Sequence, residues 1–324
     1  MRTGVQIDMI SKKEYILVFM LFAVFTVLSQ TVSLPFYLDK YKHIIVNYSI
    51  KGEKVKLLFD TGWEGCMLDT VVANKLNILP HKQGVKTVKY VSSGQPYTEI
   101  IPNEGSSPYI DTLFNYLWTL SDMKATAKSL NIDEDINGIV GIDFQNNKHI
   151  VELDFKHGRL NFWDSLPQNY PKGRKIHEVV LVRSDYMQET KYSDKYAQYP
   201  YMKGTLTILD TVRLKPLFFF DTGNTGSYIT LQMYDNSTLR KMLEYKKMIV
   251  QKYGNNYPTI RFELPELEID SLYSNCLVTR VMPDIFKLYK ASHMRVLLGM
   301  DFFLQYEKVI FDVKKKTSYF VKYE

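Results

Sequence analysis

Leu57-Leu58-Phe59-Asp60-Thr61-Gly62 and, 161 residues later, Phe218-Phe219-Phe220-Asp221-Thr222-Gly223 are the two stretches that decide how this chain folds. Each is an unbroken apolar run ending in a polar turn, the pattern of a buried strand that stops at a functional loop. A second short apolar stretch follows each one, Cys66-Met67-Leu68 in the first copy and Tyr228-Ile229 in the second. Further on, Ile139-Val140-Gly141-Ile142-Asp143-Phe144 matches Leu297-Leu298-Gly299-Met300-Asp301-Phe302. Asp60 precedes Gly141 by 81 residues and Asp221 precedes Gly299 by 78. An aspartate comes 13 residues after each of these glycines, Asp154 and Asp312, and a phenylalanine 8 further on, Phe162 and Phe320. A lone Asp-Thr-Gly is a weak signal, but the spaced pair is an internal repeat, and a repeat fixes the architecture.

Between these anchors the chain alternates apolar and polar residues over short lengths bounded by turn formers. Examples are Ile44 to Ile50 before Lys51-Gly52, and Val151 to Phe155 before His157-Gly158. Val71 to Leu76 reads as one short helix. The stretch from Leu166 to Tyr201 holds Pro167, Pro171 and Pro200 and reads as a connection, with Val179 to Val182 adding a strand. The predicted fold is all-β with small helices, in two similar lobes. Residues 34–165 form the first lobe, 166–200 the connection and 201–324 the second.

Composition narrows the function classes. A chain of 324 residues with 45% hydrophobic residues can fill a core in each lobe. The net charge of +6 is spread along the chain and makes no basic arm, so nucleic-acid binding is not expected. Lys314-Lys315-Lys316 reads as a tight turn between strands. Six histidines show no metal-ligand spacing, and two cysteines, Cys66 and Cys276, exclude a four-thiolate zinc site. No metal or cofactor is expected. Buried thiols are the expected state of the cysteines, with a single disulfide the alternative.

At the N-terminus Lys12-Lys13 precede an apolar run from Tyr15 to Leu28, followed by small or polar residues to Ser33. The run is shorter than the roughly 20 apolar residues of a membrane-spanning helix. Residues 1–33 are therefore read as a secretory signal, with Met9 a candidate start and processing near Ser29 or Ser33. An uncleaved membrane anchor is the alternative. The expected destination is outside the cytoplasm: periplasm, cell envelope or extracellular space.

The paired Asp-Thr-Gly runs and their apolar-apolar-Gly partners resemble the pepsin and retropepsin-like aspartic protease superfamily, particularly bacterial secreted proteins with two copies in one chain. The resemblance covers roughly residues 40–324. It implies a bilobal pepsin-like β fold with an active-site cleft between two retropepsin-like lobes. It also implies a monomer that hydrolyses peptide or protein substrates with Asp60 and Asp221 as its catalytic carboxyls. Two carboxylates held close together cannot both ionise easily, so the pair shares one proton. The ionised member takes a proton from water while the protonated one hydrogen-bonds the carbonyl oxygen.

The neighbours are read as supports. Gly62 and Gly223 permit the sharp turn and bring N–H groups near the carboxyls, and the resemblance implies that Thr61 and Thr222 hydrogen-bond across the lobe junction. After the glycine the family usually has a small hydroxyl residue or Ala; here stand Trp63 and Asn224. Asn224 can donate a hydrogen bond; Trp63 is too large to imitate serine, though its indole N–H is a donor, so either the first loop is reshaped or Gly65 N–H supplies the support. Trp63 is also the basis of a competing reading, a catalytically weak peptide-binding protein of the envelope. The stretch Tyr90 to Tyr97, with Gly94 in its turn, reads either as a flap hairpin over the cleft, with Tyr90 or Tyr97 as its tyrosine, or as a surface hairpin without substrate contact. Cys66 reads as packing, and Asp143 and Asp301 as structural hydrogen-bonding residues.

Overall fold

The strand Glu53–Phe59 is buried on both faces at its end, where Leu57, Leu58 and Phe59 have no solvent exposure. These belong to a computed structural model that describes residues 30–63, 65–78, 85–89, 96–100, 113–114, 118–130, 132, 135–142, 149–166, 170, 176–183, 200–208, 212–214, 217–230, 249–253, 257–264, 267–269, 272–274, 277–282 and 295–324. Leu57 and Phe59 face the main core, while Leu58 joins Ile45, Met67 and Ile139 in a second cluster. That cluster lies against Met123 and Ala127 of the helix Met123–Leu130. Packing on both sides fixes where the strand ends, and Asp60 is the residue at that end.

The described protein is mostly β-sheet with a few short helices. The same order of strand pairings occurs twice. In the first half of the chain, Gln30–Leu38 pairs with Ile44–Ile50, which pairs with Glu53–Phe59, which lies parallel to Gly138–Val140. Gly138–Val140 is antiparallel to Cys66–Asp69, and Cys66–Asp69 is parallel to Trp118–Ser121. In the second half, Ile176–Arg183 pairs with Pro200–Lys203 and then Leu217–Phe220, which lies parallel to Arg295–Leu298. Arg295–Leu298 is antiparallel to Ser227–Thr230, and Ser227–Thr230 is parallel to Leu277–Met282. The predicted repeat is thus a repeat of strand order as well as of residues.

A six-stranded antiparallel ladder joins the halves. Its order is Gln30–Leu38, Arg159–Trp163, Ile150–Asp154, Tyr306–Asp312, Thr317–Lys322 and Ile176–Arg183. The seam is the pairing of Ile150–Asp154 with Tyr306–Asp312, where Lys308 lies opposite Asp154 and Ile310 opposite Glu152. Rings from Tyr306–Asp312 and Thr317–Lys322 meet rings from the strand Leu217–Phe220 and the helix Met300–Phe303 in the core. Phe220, Phe302, Phe303, Phe311, Phe320 and Tyr306 stack edge-on or tilted at centroid separations of 5.1–5.8 Å. Such pairs add about 0.5–1.5 kcal/mol each beyond the area they bury. Tyr306 is fully packed, and burial pushes its phenol well above the usual range.

The seam also encloses charge. Glu152 is buried and accepts hydrogen bonds from Asn161 Nδ2 at 2.7 Å and from the Tyr170 hydroxyl at 2.5 Å. Lys308 Nζ reaches Asp154 Oδ2 at 2.7 Å, the Tyr170 hydroxyl at 3.0 Å and Glu152 Oε1 at 3.5 Å.

Local signals act as the sequence suggests in several places. The hairpin at Lys51-Gly52 has φ of 48° and 85°, both in the left-handed region that a two-residue type I′ turn requires. The expected short helix is Thr70–Lys75, with the Asp69 carboxylate capping the N–H groups of Val71 and Val72. The strand ends at Asp154 and Asp312 close in the same way, each aspartate accepting from a backbone N–H three residues on, that of His157 and of Lys315. Lys314–Lys316 lies in the turn, with Lys316 at φ 54°.

Two boundaries differ from expectation. The first strand starts at Gln30, ahead of the boundary drawn at residue 34, and pairs Gln30 with Trp163 and Ser33 with Asn161. Inside the connection the added strand runs the full length of Ile176–Arg183 and forms the outer edge of the joining ladder. Among the described residues no helix is long and apolar enough to cross a membrane; the apolar run from Tyr15 to Leu28 lies outside them.

Candidate active site

Each of the two deciding strands is held at its tip by the strand that runs parallel to it. Asp60 N–H donates to Val140 O and Asp221 N–H to Leu298 O, both at 2.9 Å. The chain then passes so close beneath each turn that no side chain fits. A Cβ on Gly141 would stand 1.8 Å from the Trp63 carbonyl oxygen, and one on Gly299 would stand 2.4 Å from that of Gly226. This is the physical reason for the glycine in each apolar-apolar-Gly segment.

The two turns grip one another. Thr61 N–H donates to Thr222 Oγ1 at 3.0 Å, and Thr222 N–H to Thr61 Oγ1 at 3.1 Å. The hydroxyls donate in turn to the carbonyls of the opposite strands, Thr61 to Phe220 O and Thr222 to Phe59 O, both at 3.0 Å. All four bonds are buried and cross between the halves. Thr222→Val is expected to orphan Thr61 N–H and Phe59 O, at roughly 1–3 kcal/mol for each group. Denaturant unfolding checks this, and Thr222→Ser, which keeps the hydroxyl, should recover most of the loss.

The grip brings Asp60 and Asp221 together, with their carboxyls within hydrogen-bond reach of one another. Gly62 N–H donates to Asp60 Oδ1 at 2.7 Å, while Gly223 N–H serves both acids, at 3.0 Å to Asp221 Oδ1 and 3.2 Å to Asp60 Oδ1. A Cβ on Gly223 would lie 2.2 Å from Asp60 Oδ2, and one on Gly62 would lie 2.6 Å from the Asp221 carboxyl carbon. Each glycine is therefore the floor beneath the other half's acid.

The pair is asymmetric. Burial raises the pKa of both carboxyls. For Asp221 the charge of Asp60 and their shared hydrogen bond push it well above the usual carboxylate range, against the pull of Asn224 and Gly223. For Asp60 the hydrogen bonds from Asp221, Gly62 and Gly223, and the nearby His43, draw it partly back. Of the two, Asp221 is pushed further above the ordinary carboxylate range.

Asn224 Nδ2 donates to Asp221 Oδ2, as its residue type suggests. Among the described residues the N–H donors to Asp60 are Gly62 and, across the junction, Gly223, while the Gly65 carbonyl accepts from Gly141 N–H. Trp63 packs against the cluster of Ile45, Leu58, Met67 and Ile139. Cys66 is fully buried in the core. Asp301 anchors Ser227 through Oγ at 2.7 Å and N–H at 3.0 Å, and Ser227 Oγ in turn receives Gly299 N–H at 3.1 Å. Burial raises the Asp301 carboxyl.

The strands Val85–Lys89 and Pro96–Ile100 pair as a hairpin with Lys89 opposite Pro96. Tyr90 and Gly94 lie outside the described residues, as does the side chain of Tyr97; so do Asp143 and Cys276. Missing from the sequence reading is the buried pair of Asp39 and His43, 2.9 Å apart in the turn ahead of Ile44–Ile50. No family model matches the chain, and no curated protein matches it.

Proposed function

We propose that the chain is an aspartic endopeptidase of bilobal, pepsin-like architecture, in which Asp60 and Asp221 activate one water against a peptide carbonyl. The observation that carries the reading is the pair of carboxyls held in mutual hydrogen-bond reach by crossed threonine bonds between two pseudo-equivalent strand ends. General acid–base work needs one ionised and one protonated group in reach of the same substrate atoms, and unequal environments supply that division. Trp63 packs against an apolar cluster and supplies no hydroxyl to Asp60, whose carboxyl is instead supported by the N–H groups of Gly62 and Gly223, an arrangement that supports turnover without the family's usual residue. The substrate is an extended peptide or protein segment that adds its backbone to a strand edge.

Export belongs to the same proposal. Processing just after Ser29 leaves the strand Gln30–Leu38 whole, whereas processing at Ser33 removes residues paired with Trp163, Phe162 and Asn161.

The test is cleavage of a mixed peptide library by the chain from Gln30 at mildly acidic pH, with and without a pepstatin-type inhibitor. Turnover blocked by the inhibitor and absent in Asp60→Asn supports the reading. Turnover that persists in Asp60→Asn ends it, and inhibitor or peptide binding without any cleavage returns the protein to the binding class.

A further inference from the structure

The loop that follows Asp221 is tied to the segment that follows Leu298. Ser227 is fully buried, and its hydroxyl stands between two partners: it receives Gly299 N–H at 3.1 Å and donates to Asp301 Oδ1 at 2.7 Å. Asp301 Oδ2 accepts Ser227 N–H at 3.0 Å. The backbones add Met300 N–H to Asn224 O at 2.8 Å and Asp301 N–H to Thr225 O at 3.3 Å. Asn224 is thus held by its own carbonyl, and its Nδ2 donates to Asp221 Oδ2. A continuous path of hydrogen bonds runs from the Asp301 carboxyl, through Ser227 and the loop, to the carboxyl of Asp221.

The first half is built differently at the same places. Three and six residues after the aspartate stand Asn224 and Ser227 in the second half, but Trp63 and Cys66 in the first. Trp63 packs against an apolar cluster and Cys66 is fully buried in the core. Gly141 N–H, the counterpart of Gly299 N–H, goes to the Gly65 carbonyl at 3.1 Å. Asp60 takes the N–H groups of Gly62 and Gly223 on its Oδ1, at 2.7 and 3.2 Å. A backbone carbonyl is therefore enough to hold the glycine beneath a turn. A mostly buried carboxyl doing the same work is costly unless it serves something more.

We propose that Asp301 and Ser227 are positioning residues: they fix the loop from which Asn224 holds Asp221 Oδ2, so that one acid of the pair is oriented by side chains and the other by backbone N–H groups. The inference rests on the proposed peptidase reading for its kinetic consequence. The ionisable group that faces Asp221 is Asp60, while Asp301 meets Ser227 and the N–H groups at the start of the helix Met300–Phe303.

Asn224→Ala, Ser227→Ala and the double variant test this, read by carboxyl 13C titration of aspartate-labelled protein and by the pH dependence of kcat and KM on a cleaved peptide. Asn224→Ala removes a donor to the charged form of Asp221, so an apparent pKa of the pair should rise, by about tenfold in proton affinity. The same variant should lower kcat about 10–100-fold with KM little changed, because a carboxyl out of line is felt in the transition state. Ser227→Ala, whose lost hydroxyl bonds Asp301 and Gly299, should move the same pKa in the same direction. In the Asn224→Ala background it should add no further movement, since its effect passes through Asn224. A Ser227→Ala protein that melts lower with the pair's pKa unmoved, or that moves it equally in both backgrounds, overturns the proposal.

Ser227→Cys covers the case in which the alanine variant does not fold, since the first half itself carries a cysteine at this place. A thiol donates and accepts only weakly, so the pair's pKa should again move up, and an unmoved pair overturns the proposal. A protein that shows these 13C displacements but cleaves nothing refutes the peptidase reading alone. A protein that cleaves, with the pair's pKa unmoved in the Ser227 variants, refutes this inference alone.

Discussion

Asp221→Asn is expected to lose cleavage and gain stability together. On the proposed peptidase reading the change removes one carboxyl of the catalytic pair, so turnover should fall by about 10²–10⁴-fold, the usual span for a general acid or base. Stability moves the other way because Asp221 is held in a setting that resists its charge, with burial and the neighbouring Asp60 raising its pKa well above 3.8. A carboxyl with a raised folded pKa contributes stability that is complete below its unfolded pKa, and loses it as pH rises through the folded value. Asparagine has no charge to acquire. Variant and wild type should therefore melt alike near pH 3 and diverge as pH rises, with the variant higher at neutral pH. Thermal unfolding from pH 3 to pH 7, run beside a cleavage assay, checks both halves. A variant that melts lower at pH 7 would contradict the account of the pair as electrostatically strained.

Lys308→Met is expected to be the most damaging single change away from the site. Lys308 is 17% exposed and faces Glu152 and Asp154, which are 1% and 5% exposed, across the seam between the halves. Removing one partner of a buried ion pair leaves an uncompensated charge, at about 3–5 kcal/mol. Burial alone would raise Asp154, but hydrogen bonds from Lys308 and His157 outweigh it and hold the carboxyl below its usual value. That contribution is present above the unfolded pKa of about 3.9 and is lost as pH falls through the lowered folded value. The deficit of the variant should accordingly be largest at neutral pH and shrink in acid. On the alkaline side, burial would lower the Lys308 ammonium, but Asp154, Tyr170 and Glu152 raise it, so its contribution survives past the ordinary lysine range. Urea unfolding at pH 7 and pH 3.5 measures the difference. Lys75→Met is the control: its ammonium is 63% exposed and 2.7 Å from Glu53, itself 36% exposed, a surface pairing worth less than about 1 kcal/mol. If the two variants lose the same small amount, the seam charges are not acting as a buried network.

What the residue string revealed and what it hid follow from how each feature is encoded. Strands buried on both faces must be continuously apolar, so the runs into Asp60 and Asp221 are visible, as is the glycine that passes beneath each turn. The caps at Asp154 and Asp312 are local in sequence and equally visible. Gln30–Leu38 starts on Gln-Thr-Val-Ser, which reads as the polar end of a leader; only its pairing with Arg159–Trp163 makes it a strand. The Asp39–His43 pair was hidden for a similar reason. The two residues stand four apart, and only the hairpin that pairs Leu38 with Ile44 shows that they are buried against one another. Trp63 departed from the pattern at a conspicuous position, and its accommodation depends on Ile45, Leu58 and Ile139, three separate elements.

The joining ladder has a consequence for the order in which the protein can be made. Ile150–Asp154 belongs to the first half, yet its outer partner is Tyr306–Asp312, near the other end of the chain. During synthesis that edge, with Ile150, Val151 and Leu153 upon it, has nothing to pair with until some 150 further residues have emerged, on the order of ten seconds or more at ordinary translation rates. An unpaired apolar edge invites the edge of another chain. The newborn half is thus a temporarily sticky object, and a chain shortened by its last few strands would stay one.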